Sequence, residues 1–229
     1  MTELRDYEPI HPKGFDWRKL ARAIWAPIAF VGGLAIKFGF IFVKFAGLFV
    51  SVGAYALIGG WKWAIGLVAL IFVHEMGHFL EARRQGVPVT WPTFIPFFGA
   101  YVTIHRAGLT PWRSATIALA GPFVGSLGAA VCYAIGREDH SHLFTTLGYT
   151  GFLLNLFNLI PVGFLDGGAV ARAASESWRL PVIHFENGIP MRALAPARGR
   201  ALLIASLYFG LVALLVVGMW KTHVPQHRL

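Results

Sequence analysis

Residues Leu70–Arg84 read LIFVHEMGHFLEARR. The apolar run that leads into this stretch begins near Trp61, and Arg83 and Arg84 close it. His74, Glu75 and His78 stand inside the run, where it should continue through hydrocarbon. Ionisable groups at that depth are costly, so a span that carries three of them is read as a functional site. The whole chain agrees that hydrocarbon is its solvent. Of 229 residues 56% are hydrophobic and 14% charged, against roughly 25% charged in a soluble domain. Cys132 is the one cysteine, which excludes an internal disulfide and a multi-cysteine metal cluster. The net charge of +9 is read as loop charge flanking spans, so no nucleic-acid partner is expected.

A helix needs about 20 apolar residues to cross about 30 Å of hydrocarbon. Working outward, the stretches that meet or approach this are Phe38–Gly60, Lys62–Leu80, Pro111–Ile135 and Ala201–Trp220, with a shorter one at Leu143–Ile160. The run Ala23–Ile36 is read as an interfacial lead into the first span, a separate sixth span being the alternative. The expected fold class is an all-α polytopic membrane protein, a bundle of about five to six transmembrane helices. Basic residues orient it. Segments 1–37, 83–113 and 161–200 hold fifteen Lys and Arg, against four at Lys62, Arg137, Lys221 and Arg228. The richer side is expected to be cytoplasmic. No cleavable leader is expected, because the first twenty residues are polar throughout.

His74 and His78 are four residues apart, so on a helix they share one face and both imidazoles can reach one metal ion. Glu75 projects beside them, where it can take a proton from a water at the metal. H-E-x-x-H is the zinc metalloprotease pattern with these mechanics. Two histidines gluing neighbouring helices would leave the glutamate unexplained. Catalytic zinc takes three protein ligands and keeps a fourth position open. Of the eleven acidic residues, four lie in the N-terminal tail, and Glu81, Glu138, Asp139, Glu176 and Glu186 lie at boundaries or in polar loops. That leaves Asp166, in the stretch NLFNLIPVGFLDGG (Asn155–Gly168), on the same side as the histidines. An ordinary Asp-Gly turn is the plainer reading of Asp166. Pro161 and the pair Gly167-Gly168 argue for a broken helix that presents the carboxylate to a water-containing cavity.

HEMGH on one span and NLFNLIPVGFLDGG on a later one resemble the site-2 protease family of intramembrane zinc metalloproteases. The resemblance covers roughly residues 45–170. It implies His74, His78 and Asp166 as ligands of one zinc ion per chain and Glu75 as general base. It also brings in Asn158, eight residues before the aspartate, as a donor to the scissile carbonyl or its oxyanion. WPTFIPFFGAYVTI (Trp91–Ile104) resembles the family's membrane-associated β-hairpin between core helices, and its β-branched and aromatic residues suit short strands. AGPFVG (Ala120–Gly125) resembles the family's Gly-Pro-x-x-Asn, with Gly125 in place of the asparagine.

The resemblance implies hydrolysis of a peptide bond within a transmembrane segment of a single-pass substrate, such as a membrane-tethered transcription regulator or its inhibitor. The spans and the basic residues lead to the expectation of a multi-pass protein of the cell membrane with its active site toward the cytoplasmic side. The alternatives are a metal-ion or proton transporter using the same His and Asp groups, or an inactive homologue. The expected organisation is a cytoplasmic or interfacial segment at 1–37, a catalytic transmembrane core with the zinc site at 38–178, a cytoplasmic loop at 179–200, and a final transmembrane helix and tail at 201–229.

Overall fold

A computed structural model describes residues 17–95, 97, 99–105, 108–186, 189–194 and 196–222. The tail 1–16, Arg106 and Arg228, which entered the charge argument, lie outside the described residues. The chain divides into two compact units, Met1–Val43 and Lys44–Leu229.

The first helix, α1 (Trp17–Arg84), is interrupted at Gly60, where φ is 78° and ψ 162°. Glycine enters that region freely and an L residue there is strained. The corner therefore falls where the two expected spans were divided. In the first unit residues 17–43 are helical, including the stretch expected as interfacial. Its short apolar portion Ile24–Gly33 exposes Trp25 and Phe30.

In the second unit the rest of α1 is followed by β1 (Thr93–Ile95) and β2 (Gly99–Tyr101), then α2 (Pro111–Glu138), α3 (His142–Asn158) and α4 (Asp166–Arg179). The strands β3 (Val182–Glu186) and β4 (Ile189–Leu194) and the helix α5 (Arg198–Thr222) complete it. Among the described residues three helices are long and apolar enough to cross a membrane, Ala46–Arg84, Pro111–Glu138 and Arg198–Thr222. Five spans would require counting the two arms of α1 separately and adding α3. The 17 residues of α3 rise about 25 Å, a little short of about 30 Å of hydrocarbon. Leu57, Phe209 and Trp220 turn outward, an apolar surface that suits lipid.

Small residues let the helices approach closely. A Cβ at Gly77 would run into the Ala120 carbonyl, and one at Gly121 into the His78 ring, so α1 and α2 cross at the face that carries His78. Ala118, Leu119, Phe152, Leu159, Val170 and Ile204 belong to a core shared by α2, α3, α4 and α5. Thr110 caps α2 by accepting from the Arg113 N–H, with Pro111 in the first turn.

β1 and β2 form an antiparallel hairpin with Phe94 opposite Ala100, extended by a bridge from Val89 to Ile104. This is the hairpin expected at Trp91–Ile104. Phe94 is buried and stacks on Phe72 of α1. A Cβ at Gly47 would come 2.5 Å from the Phe94 carbonyl, so α1 lies directly on β1. The segment expected as a loop at 179–200 contains a second hairpin, β3 with β4. Its signal was the pair Asn187-Gly188 between β-prone runs.

Candidate metal centre

His74 and His78 lie on α1 one turn apart, 3% and 5% exposed. Each ring uses its Nδ1 outward from the site. His78 Nδ1 donates to the Ile117 carbonyl at 2.8 Å, and His74 Nδ1 donates to Asn155 Oδ1 at 2.7 Å. Both partners are acceptors, so each ring carries a proton on Nδ1 and turns its Nε2 inward. Asp166 completes the group. Its Oδ2 stands 3.2 Å from His74 Nε2 and 3.3 Å from His78 Nε2, while the two Nε2 atoms are 3.2 Å apart.

The near-equilateral triangle tests whether zinc fits. Bonds of about 2.0–2.1 Å at tetrahedral angles separate ligand atoms by about 3.3–3.4 Å, close to the three edges found. Two imidazole Nε2 atoms and a carboxylate oxygen turned toward one point form a donor set that could hold a metal ion. The donor set fits a zinc ion with one coordination position left over.

Asp166 is held by a local arrangement that differs from the one expected. The helix break lies at residues 159–165, where Leu165 N donates to the Val162 carbonyl. Gly167 and Gly168 sit inside the first turn of α4. A Cβ on Gly167 would strike the Leu159 carbonyl, and one on Gly168 the Val162 carbonyl. The glycines thus allow the broken segment to fold down on the helix that carries the ligand. Tyr208 of α5 donates to the Leu159 carbonyl at 2.6 Å, and Arg172 to the Gly163 carbonyl at 2.8 Å, tying the loop at both ends. As the first residue of α4, Asp166 also faces the positive end of the helix dipole.

A cavity of about 390 Å³ opens on this group, lined among others by Glu75, Tyr101, Val102, Asn158 and Phe164. Glu75 is 7% exposed and belongs to the same cavity as the three ligand atoms. Asn158 lines it too, with its amide donating to the Leu154 carbonyl of its own helix at 3.2 Å. An amide carries a second N–H that can serve the cavity. All five residues singled out from the sequence therefore meet at one place. Asn155 of α3 reaches across to a candidate ligand on α1. It lies one turn before Asn158 on the same face, and the spacing alone does not say which of the two reaches α1. Tyr208 had no signal in the sequence, because its partner is a backbone carbonyl. Glu81 lies outside the site, in an ion pair with Arg84.

The family model described as "Peptidase family M50" matches residues 62–138 and 137–189, more than half of the chain. The chain is 31% identical over 192 residues to "Putative zinc metalloprotease Rip3" of Mycobacterium tuberculosis, covering 76% of this chain and 47% of that protein. It is 33% identical over 128 residues to "Putative zinc metalloprotease sll0528" of Synechocystis, covering 51% and 34%. To "Zinc metalloprotease MJ0392" of Methanocaldococcus jannaschii it is 26% identical over 197 residues, covering 81% and 53%. The chain thus spans about a third to a half of these relatives' lengths. With the family model matched across both halves of the metal centre, from the helix of His74 to beyond Asp166, the chain belongs to peptidase family M50.

Proposed function

We propose that the chain is an intramembrane zinc metallopeptidase that hydrolyses a peptide bond within a transmembrane segment of a membrane protein. The observation that carries this is the Nε2, Nε2, Oδ2 triangle with buried Glu75 lining the same cavity. The relatives' names as zinc metalloproteases support it.

His74, His78 and Asp166 would hold the zinc, which when bound supplies a Lewis acid for a water molecule and for the scissile carbonyl. Glu75 accepts the water's proton as the carbonyl is attacked and returns it to the leaving amine. Asn158 turns its second amide N–H toward the carbonyl oxygen as negative charge develops there. A substrate helix hides its carbonyls in its own hydrogen bonds, so the cleaved segment must unwind locally to enter.

The finer reading has five spans, the two arms of α1, α2, α3 and α5, with the ligands nearer the cytoplasmic face by the charge distribution of the loops. The substrate would be a single-pass protein such as a membrane-tethered transcription regulator or its inhibitor. A transporter reading gains nothing from the family match, and an inactive homologue would have no use for Glu75 at the metal.

The test replaces Glu75 with Gln, which keeps size and polarity and removes the base. Cleavage of a model transmembrane peptide should fall by about 10²–10⁴-fold, with zinc content unchanged. Cleavage at the parental rate would refute the role of Glu75.

A further inference from the structure

The two candidate zinc histidines are oriented differently. His78 leans on a main-chain carbonyl, that of Ile117, which no side-chain replacement removes. His74 leans on a side chain from another helix, Asn155 of α3. Asn155 is 2% exposed, and its own amide nitrogen donates to the Gly151 carbonyl at 2.7 Å. That second bond fixes which end of the amide faces the ring. A flipped amide would set its NH₂ against the His74 N–H and its oxygen against the Gly151 carbonyl.

The amide has this place because of a third residue. Gly125 of α2 lies against it, and a Cβ there would run into Oδ1 and come 2.9 Å from Cγ and Nδ2. Gly125 is itself buried, so the amide could not escape outward.

We infer that Asn155, lodged in the space left by the missing side chain of Gly125, is the positioning residue that fixes the tautomer and ring direction of His74 for the metal. The inference rests on the zinc reading of the site. The hydrogen bond from Nδ1 keeps the proton off Nε2 and holds the ring where its lone pair meets those of its partners. Residues that orient a metal-bound imidazole in this way typically account for about 10–100-fold in metal affinity.

The experiment measures zinc affinity of the full chain in detergent, by competition with a chromophoric chelator. Asn155→Leu keeps the volume and removes the acceptor, and should weaken zinc by about 10–100-fold. Gly125→Ala leaves Asn155 in the sequence but pushes its amide aside, and should weaken zinc in the same sense. Asn155→Asp keeps an oxygen for the His74 N–H while losing the bond to Gly151, and should hold zinc within a few-fold of the parent or more tightly. His78→Ala reports on the zinc reading itself.

Parental affinity in Asn155→Leu, with zinc lost in His78→Ala, overturns the inference and leaves the metal centre standing. Parental zinc in His78→Ala overturns the metal centre, and the inference with it. If Asn155→Asp is as weak as Asn155→Leu, the residue acts through Gly151 as a packing element, and the inference fails. Should Asn155→Leu not fold, Gly125→Ala against Asn155→Asp carries the same comparison, and equal affinities in the two overturn it.

Discussion

At the scale of the residue, the centre depends on where each proton sits. Both histidines spend Nδ1 on acceptors outside the site, so each turns its Nε2 toward Asp166. Removing one ligand atom should therefore empty the site, whereas removing a histidine elsewhere should not. Asp166→Ala is expected to lose most bound zinc, measured as metal per chain after gel filtration. His140→Ala, in the turn between α2 and α3, is expected to keep it. Equal zinc in both would sink the ligand assignment. The sequence carried much of this level, since a four-residue spacing on a helix and one acidic residue at depth already bring His74, His78 and Asp166 together. It could not carry the acceptors of Nδ1. One is a backbone carbonyl, which has no residue identity to read. The other, Asn155, is distinguishable from Asn158 only by the rotation of α3 against α1.

At the scale of the element, the broken segment before α4 holds the aspartate by close backbone contact. Gly168 touches the Val162 carbonyl without a Cβ, and a backbone atom cannot move aside as a side chain would. Gly168→Ala should cost about 1–3 kcal/mol as overpacking does, read as a lower melting temperature, and should weaken zinc as well because Asp166 lies two residues away. Unchanged melting and zinc affinity would mean that the loop accommodates the methyl. Pro161 correctly marked a break in the sequence, but the glycine pair looked like part of it. Glycines required for contact and glycines required for a turn look alike until a neighbouring chain is seen. The β1–β2 hairpin was legible, because β-branched and aromatic residues cluster there. The β3–β4 hairpin was signalled by Asn187-Gly188 and passed over in a polar segment.

At the scale of the whole molecule, α1 and the broken segment bring the ligands to one depth. His78 precedes the boundary at Arg83 by five residues, about 7–8 Å along a helix. In the proposed orientation a substrate span should be cut in its cytoplasmic half, near residues that unwind easily such as Gly or Pro. Mass spectrometry of the products locates the cut. Cuts confined to the outer third of the substrate span would invert the orientation while leaving the chemistry intact.

The corner at Gly60 has a consequence for how the protein meets its surroundings. The chain turns there within one residue, and α2 passes to α3 through only Asp139–Ser141. Proteases nick extended loop tips, and these connections offer none. Trypsin added to sealed vesicles from the side of Gly60 should leave the stretch from α1 to α5 uncut. From the opposite side it should cut at residues 83–113 or 179–200. Internal cleavage from the Gly60 side would mean that this face is not the closed one. Among the described residues, such a face would also give antibodies and soluble partners little to grip.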